Sequence, residues 1–124
     1  NDLAKLMQMY LQKGEYANER FLSNEVVSEF TKCQFCIDEN RRGAGFDKPV
    51  LESEEGGPTC QCVSSLSFGH SGFTGTLAWA DPETNLIYIF LSNRIHPNAN
   101  NKKLIKMDVR TEIMQVIYDS LNDK

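Results

Sequence analysis

The sequence predicts an α+β fold: an antiparallel sheet of at least three strands, a C-terminal helix packed on one face, and two helices ahead of the sheet. Three observations lead there. Residues 76–80 and 86–91 are two short runs of apolar, aromatic and β-branched residues, which suit a pleated, buried surface. Between them Asp81-Pro82-Glu83-Thr84-Asn85 is a turn with a mechanism, since proline presets φ while Asp and Asn bond their own backbone. Apolar residues recur at helical spacing near both ends of the chain, at 3, 6, 7, 10, 11 and at 109, 113, 116, 117, 121.

In chain order, Asn1 or Asp2 caps a helix over 2–11 that buries Leu3, Leu6, Met7, Tyr10 and Leu11. Gly14 stands where a left-handed residue would end it. A polar link follows. Ser23 caps a second helix over 24–31, burying Val26, Val27 and Phe30. Gly43-Ala44-Gly45-Phe46 reads as a strand with glycines for tight packing. Residues 47–61, with Pro49, Gly56, Gly57, Pro58 and the acidic stretch 52–55, read as a surface loop or hairpin tip. Residues 63–68 enter the first strand of the core sheet. The run 86–91 is apolar without alternation, which predicts a strand covered on both faces and central in its sheet. Residues 96–101 are loop by composition, and the last helix runs from about Asp108 to Leu121. The 124 residues thus form one unit: a helical part at 1–31, a sheet at 43–94 and a C-terminal helix within 102–124.

Composition excludes several classes. A net charge of −4 with no Lys/Arg stripe argues against nucleic acid. Arg41-Arg42 and Lys102-Lys103 are only pairs, read as solvated. No apolar run reaches the length of a membrane span, and no cofactor motif is present. The chain opens on Asn1 without a methionine, which reads as a processed or cut piece of a longer protein.

The densest small-residue turn is Gly69-His70-Ser71-Gly72, directly ahead of the hairpin, where two glycines permit close approach of another chain or a ligand. In this context residues 68–94 resemble the C-terminal core of the serine β-lactamase and penicillin-binding-protein superfamily, in its class C and esterase-like branch. His70-Ser71-Gly72 matches the family's Lys-Thr-Gly triad, often His-Ser-Gly or His-Thr-Gly in this branch, and Ser92-Asn93-Arg94 matches the end of its last strand. Segments 2–11, 21–30 and 43–46 resemble family segments in the same order. The resemblance implies a partial β-lactamase/transpeptidase-like fold and acyl transfer through an activated serine, on a β-lactam, a D-Ala-D-Ala peptide or an ester. It implies that His70 stands for the lysine, that Ser71 offers a hydroxyl, that Gly72 removes bulk beside the substrate, and that the Phe73 N–H is an oxyanion donor. Such modules also occur fused to family 3 glycoside hydrolases, and the parent would work in the periplasm or cell envelope.

The nucleophile is missing. The family places it in Ser-x-x-Lys, and no serine here has lysine three residues on. Tyr16-Ala17-Asn18 matches the second motif, Tyr-x-Asn, in the wrong context. The chain is therefore expected to be inactive alone, to need the rest of its domain as partner, and to self-associate through surface that the missing part would cover. Arg94 is expected to pair with an acidic residue.

A rival reading rests on Cys33, Cys36, Cys60 and Cys62, two close pairs. They are open to zinc binding, to disulfides or to a role as free, small, buried thiols. The zinc reading would make the chain a cysteine-rich metal- or partner-binding module, and a third reading makes it a non-catalytic peptidoglycan-recognition domain.

Overall fold

A computed structural model describes residues 2–36, 40–51 and 56–122. Its elements are helix α1 (Asp2–Leu11), a small hairpin of β1 (Glu15–Tyr16) and β2 (Glu19–Arg20), and helix α2 (Asn24–Thr31). Then come β3 (Phe68–Ser71), β4 (Leu77–Asp81), β5 (Leu86–Phe90), a single turn α3 (Lys103–Lys106) and helix α4 (Val109–Asn122). The last three strands form one antiparallel sheet in the order β3-β4-β5.

Period-two alternation sorts the sheet's side chains between two layers. Leu77, Trp79, Leu86, Tyr88 and Phe90 meet Met114, Ile117 and Tyr118 of α4, along with Cys60 and Val63. Phe68, Ala78, Ala80 and Ile87 face the other way, onto Met7, Tyr10 and Leu11 of α1 and Phe46. The sheet is thus sandwiched between the first and last helices. Polar ties fix the layers: Trp79 Nε1 donates to Ser67 Oγ at 3.0 Å, and Tyr88 OH donates to the Arg110 carbonyl at 3.0 Å.

The local signals set α1, α2 and the β4–β5 turn. Ser23 Oγ accepts from Val26 N at 3.3 Å at the start of α2. Gly14 has φ +95° and closes α1 by donating to the Met9 carbonyl at 2.8 Å. Asn85 takes φ +54°, and Asp81 Oδ1 accepts from Glu83 N at 3.0 Å.

Tertiary packing overrides the sequence reading elsewhere. Strand β5 has both faces covered, yet it is an edge of the described sheet; β4 is the central strand. On α1, Met9 is buried and Leu6 is 48% exposed; on α2, only Val27 is buried. On α4, Met114 and Tyr118 are buried while Ile113, Val116 and Leu121 are exposed, because the sheet meets the helix about one residue round from the predicted stripe. Segment 102–122 is not one helix: it breaks at Asp108, with φ +45°, between α3 and α4. The first core strand begins only at Phe68. Gly43–Phe46 is a tight turn, closed by Gly43 N donating to Phe46 O at 2.7 Å, rather than a strand. The polar link after α1 is the β1–β2 hairpin, with Ala17 and Asn18 both at positive φ. Within 47–61, Pro58, Thr59 and Cys60 are buried. The Asn1 cap and the acidic stretch 52–55 lie outside the described residues.

Candidate active site

Strand β3 carries the His-Ser-Gly motif. Its inner edge is taken by β4, with His70 opposite Ala78 and Ser71 opposite Leu77. Among the described residues its outer edge is paired at one point: Gly69 and Asp47 exchange both backbone hydrogen bonds, at 2.8 and 3.1 Å. Alternation along a strand then sends the N–H and C=O of Ser71 to the same outer side. Gly72 turns inward, donating to Thr76 O at 2.7 Å, and the turn of residues 73–74 follows, headed by the Phe73 N–H. Among the described residues it meets no acceptor. The Phe73 side chain is 71% exposed, with the Arg94 guanidinium 4.9 Å from its ring centre.

The turn after the motif is held rigidly. Thr74 O accepts from Arg94 N at 2.9 Å and Ser92 Oγ at 3.0 Å, and Arg110 Nη1 donates to Gly75 O at 3.3 Å. Three glycines at 69, 72 and 75 serve different needs. A Cβ at Gly69 would fall on the Ala78 carbonyl oxygen and the Trp79 ring, and one at Gly75 on Leu104 and Ser92 Oγ, with φ +92° besides. A Cβ at Gly72 would meet nothing nearer than 3.8 Å. The chain's own packing requires glycine at 69 and 75 and leaves 72 unexplained.

His70 is exposed. Its Nδ1 lies 2.9 Å from Ser71 O, and its Nε2 lies 3.2 Å from Arg42 Nη1. Behind it Asp47 is 1% exposed and receives two arginines: Arg42 Nη1 at 3.1 Å from Oδ1, and Arg41 Nη1 at 2.7 Å from Oδ2, off the N–H direction. A buried carboxylate needs such company, because desolvating an unpaired charge costs several kcal/mol. Arg41 and Arg42 are therefore not a solvated pair. The signal available in the sequence was Asp47 itself, a lone acid just past the glycine turn and within antiparallel reach of Arg42. Arg42, Asp47, His70 and the 43–46 turn line an open cleft of about 120 Å³.

Around the site, Lys48 Nζ donates to Leu66 O at 2.8 Å; burial pushes its pKa down to about 8, against the pull of Asp81. Arg94 has no acidic partner among the described ion pairs and instead donates to Asn101 O at 3.2 Å.

The cysteines form two local disulfides, Cys33–Cys36 and Cys60–Cys62. This replaces the expectation of free thiols as one possibility, and it consumes the thiolates that a four-cysteine zinc site would need. Among the described residues no group of three or more His, Cys, Asp or Glu is placed to hold a metal ion, and no helix is long and apolar enough to cross a membrane. Tyr16-Ala17-Asn18 sits at the tip of the β1–β2 hairpin, which explains those residues as turn chemistry.

Comparison with known proteins identifies the family. The chain is 32% identical over 105 residues to a protein of Salmonella typhi named "Putative D-alanyl-D-alanine carboxypeptidase", covering 84% of this chain and 23% of that protein. Proteins of the same name from Salmonella paratyphi B and Salmonella newport are 31% identical over the same shares. The chain therefore spans about a quarter of the length of these relatives. Residues 1–109 match the family described as Beta-lactamase. With that match covering most of its length and a mixed helix–antiparallel-sheet architecture to go with it, the chain belongs to the β-lactamase family.

Proposed function

We propose that this chain supplies one wall of the active site of a serine acyl hydrolase, the wall that holds the acyl oxygen, while the nucleophile lies outside its sequence. The substrate class is a β-lactam, a D-Ala-D-Ala peptide or an ester. The observation that carries this reading is the open outer edge of β3. Just past it the Phe73 N–H meets no acceptor among the described residues, and the adjoining glycine, Gly72, has no packing reason to be one. A backbone N–H held by a braced turn is the donor that a developing oxyanion needs, because its orientation costs nothing at the moment of reaction. Ser71 adds a hydroxyl and His70 a polar ring beside it. The serine and its base would come from a Ser-x-x-Lys helix, which the 124 residues do not contain.

The partners follow: the remainder of the family domain and a small acyl substrate. The exposed face of α4, where Ile113, Val116 and Ile117 flank a groove of about 280 Å³, adds self-association of the isolated chain. Strictly monomeric elution at high concentration would oppose that last point.

The decisive experiment labels serine nucleophiles with a fluorescent penicillin and a fluorophosphonate. The 124-residue chain should stay unlabelled, and the product of the longer reading frame that includes upstream Ser-x-x-Lys should be labelled. Labelling of the short chain would overturn the placement of the nucleophile. A longer product that lacks the motif, or carries it and stays unlabelled, would overturn the hydrolase reading.

A further inference from the structure

Arg42 and His70 lie 28 residues apart in the chain, and Arg42 is not part of the His-Ser-Gly motif. The chemistry of their contact is one-sided. A guanidinium has five N–H donors and no acceptor, so the 3.2 Å approach of Arg42 Nη1 to His70 Nε2 is a hydrogen bond only if Nε2 offers its lone pair. The ring proton must then sit on Nδ1, and there the Ser71 carbonyl, 2.9 Å away, is an acceptor and nothing else. Both ends of the imidazole dictate the same tautomer. Arg42 is itself aimed: its Nη1 lies 3.1 Å from Oδ1 of Asp47, which is 1% exposed, while Arg41 occupies Oδ2. Asp47 in turn is fixed to the motif strand by its two backbone bonds to Gly69. The Arg42 side chain is 55% exposed, so its charge faces the cleft.

We propose that Arg42, braced by Asp47, is a positioning residue of the His-Ser-Gly motif. It fixes His70 as the Nδ1-protonated imidazole and carries the permanent positive charge at this end of β3. His70 on this account is an oriented acceptor, its Nε2 turned to Arg42. The inference rests on reading His70-Ser71-Gly72 as the wall of an acyl-transfer site, but its test reads no activity, so either can fail without the other.

The test is long-range ¹H–¹⁵N correlation of the histidine rings in the 124-residue chain, near neutral pH. His96 provides an internal comparison and His70→Gln the assignment. In the wild type, His70 Nδ1 should resonate as a protonated, pyrrole-like nitrogen and Nε2 as an unprotonated, pyridine-like one. Arg42→Gln should move the proton toward Nε2, the tautomer free histidine prefers, and Arg42→Lys, also donor-only, should keep it on Nδ1. His96 should be unchanged throughout. A wild-type His70 protonated on Nε2, or a tautomer indifferent to Arg42→Gln in a chain whose Trp79 fluorescence remains native, overturns the proposal. Should Arg42→Gln fail to fold, the wild-type and Arg42→Lys spectra decide it alone.

Discussion

The sharpest stability prediction concerns Asp81, at the end of β4 and 1% exposed. Its two carboxylate oxygens gather four donors from three parts of the chain. Oδ1 accepts from Ser64 Oγ at 2.6 Å and Glu83 N at 3.0 Å; Oδ2 accepts from Ser64 N at 2.8 Å and Tyr118 OH at 2.7 Å. Burial alone would raise its pKa, but these four hydrogen bonds more than offset it and hold the carboxyl below its usual range; burial first, and then the bond to Asp81, push the Tyr118 phenol up. Asp81→Asn keeps the shape and removes half the acceptors. Each oxygen serves one backbone N–H and one rotatable hydroxyl. The hydroxyls can turn and accept from the new NH₂, but a backbone N–H cannot, so either amide orientation orphans Ser64 N or Glu83 N. An orphaned buried donor costs about 1–3 kcal/mol and the lost charge assistance about 1 more, so the expected loss is about 2–4 kcal/mol. Urea unfolding measures it, with buried Trp79, the chain's only tryptophan, as reporter. The pH dependence has a definite sign. Because the folded pKa is depressed, the ionised carboxylate's contribution is complete above the unfolded value of about 3.9 and is lost as pH falls through the lower folded value. The gap between wild type and variant should stay constant from neutral pH down to about 5 and shrink below about 4. A difference under about 1 kcal/mol at neutral pH, or a gap that widens on acidification, would refute the account.

Three further outcomes follow from particular atoms. Gly69→Ala and Gly75→Ala should each cost about 1–3 kcal/mol or more through overpacking, whereas Gly72→Ala should leave the urea midpoint unchanged; equal losses at all three would remove the argument for open space at 72. Met114→Ala, at a side chain with 0% exposure, should cost about 2–5 kcal/mol, while Val116→Ala, 67% exposed, should fall within about 0.5 kcal/mol; the reverse order would restore the stripe read from the sequence. Thiol titration of the denatured, unreduced chain should find no free thiol and find four after reductant. Because each bridge closes only a few residues, Cys33→Ser/Cys36→Ser should lower stability by no more than about 2 kcal/mol in the chain-entropy picture.

What could be read from the sequence was what neighbouring residues decide among themselves. Ser23 accepts from Val26 and Gly14 takes a left-handed conformation whatever packs around them, so the ends of α1 and α2 fell where the caps stand. The Asp81–Asn85 turn is equally local. Which face of α4 meets the sheet is not. Ile113, Val116 and Leu121 are as apolar as the Met114, Ile117 and Tyr118 that meet the sheet, and the face used is one that also lets Tyr118 donate to Asp81 across 37 residues. Strand β5 shows a related limit: unbroken apolarity reports that both faces are covered, here by α1 and α4, and says nothing about whether both edges are paired. The Arg42–Asp47–His70 contact was hidden because its members are polar residues of two segments far apart in the chain, the 42–47 turn and β3, which meet through the Asp47–Gly69 bridge.

The spacing Gly69, Gly72, Gly75 carries the same limit into the site and also shows what structure adds. By sequence the three are interchangeable small residues around a motif, and a Gly-rich strand end accounts for all of them equally well. Placing a Cβ on each separates them. Two are demanded by atoms of this chain, the Trp79 ring and Ala78 carbonyl at one, Leu104 and Ser92 at the other. Their glycines would be needed in a protein with no activity at all. Gly72 meets no such demand: a Cβ there would have no neighbour nearer than 3.8 Å, and it follows a strand whose outer edge the described residues pair only at Gly69. The proposed acyl-transfer wall would give it a use, as room for a molecule approaching from outside the chain. For that reason Gly72, more than His70, is the residue of the motif whose substitution should separate function from folding.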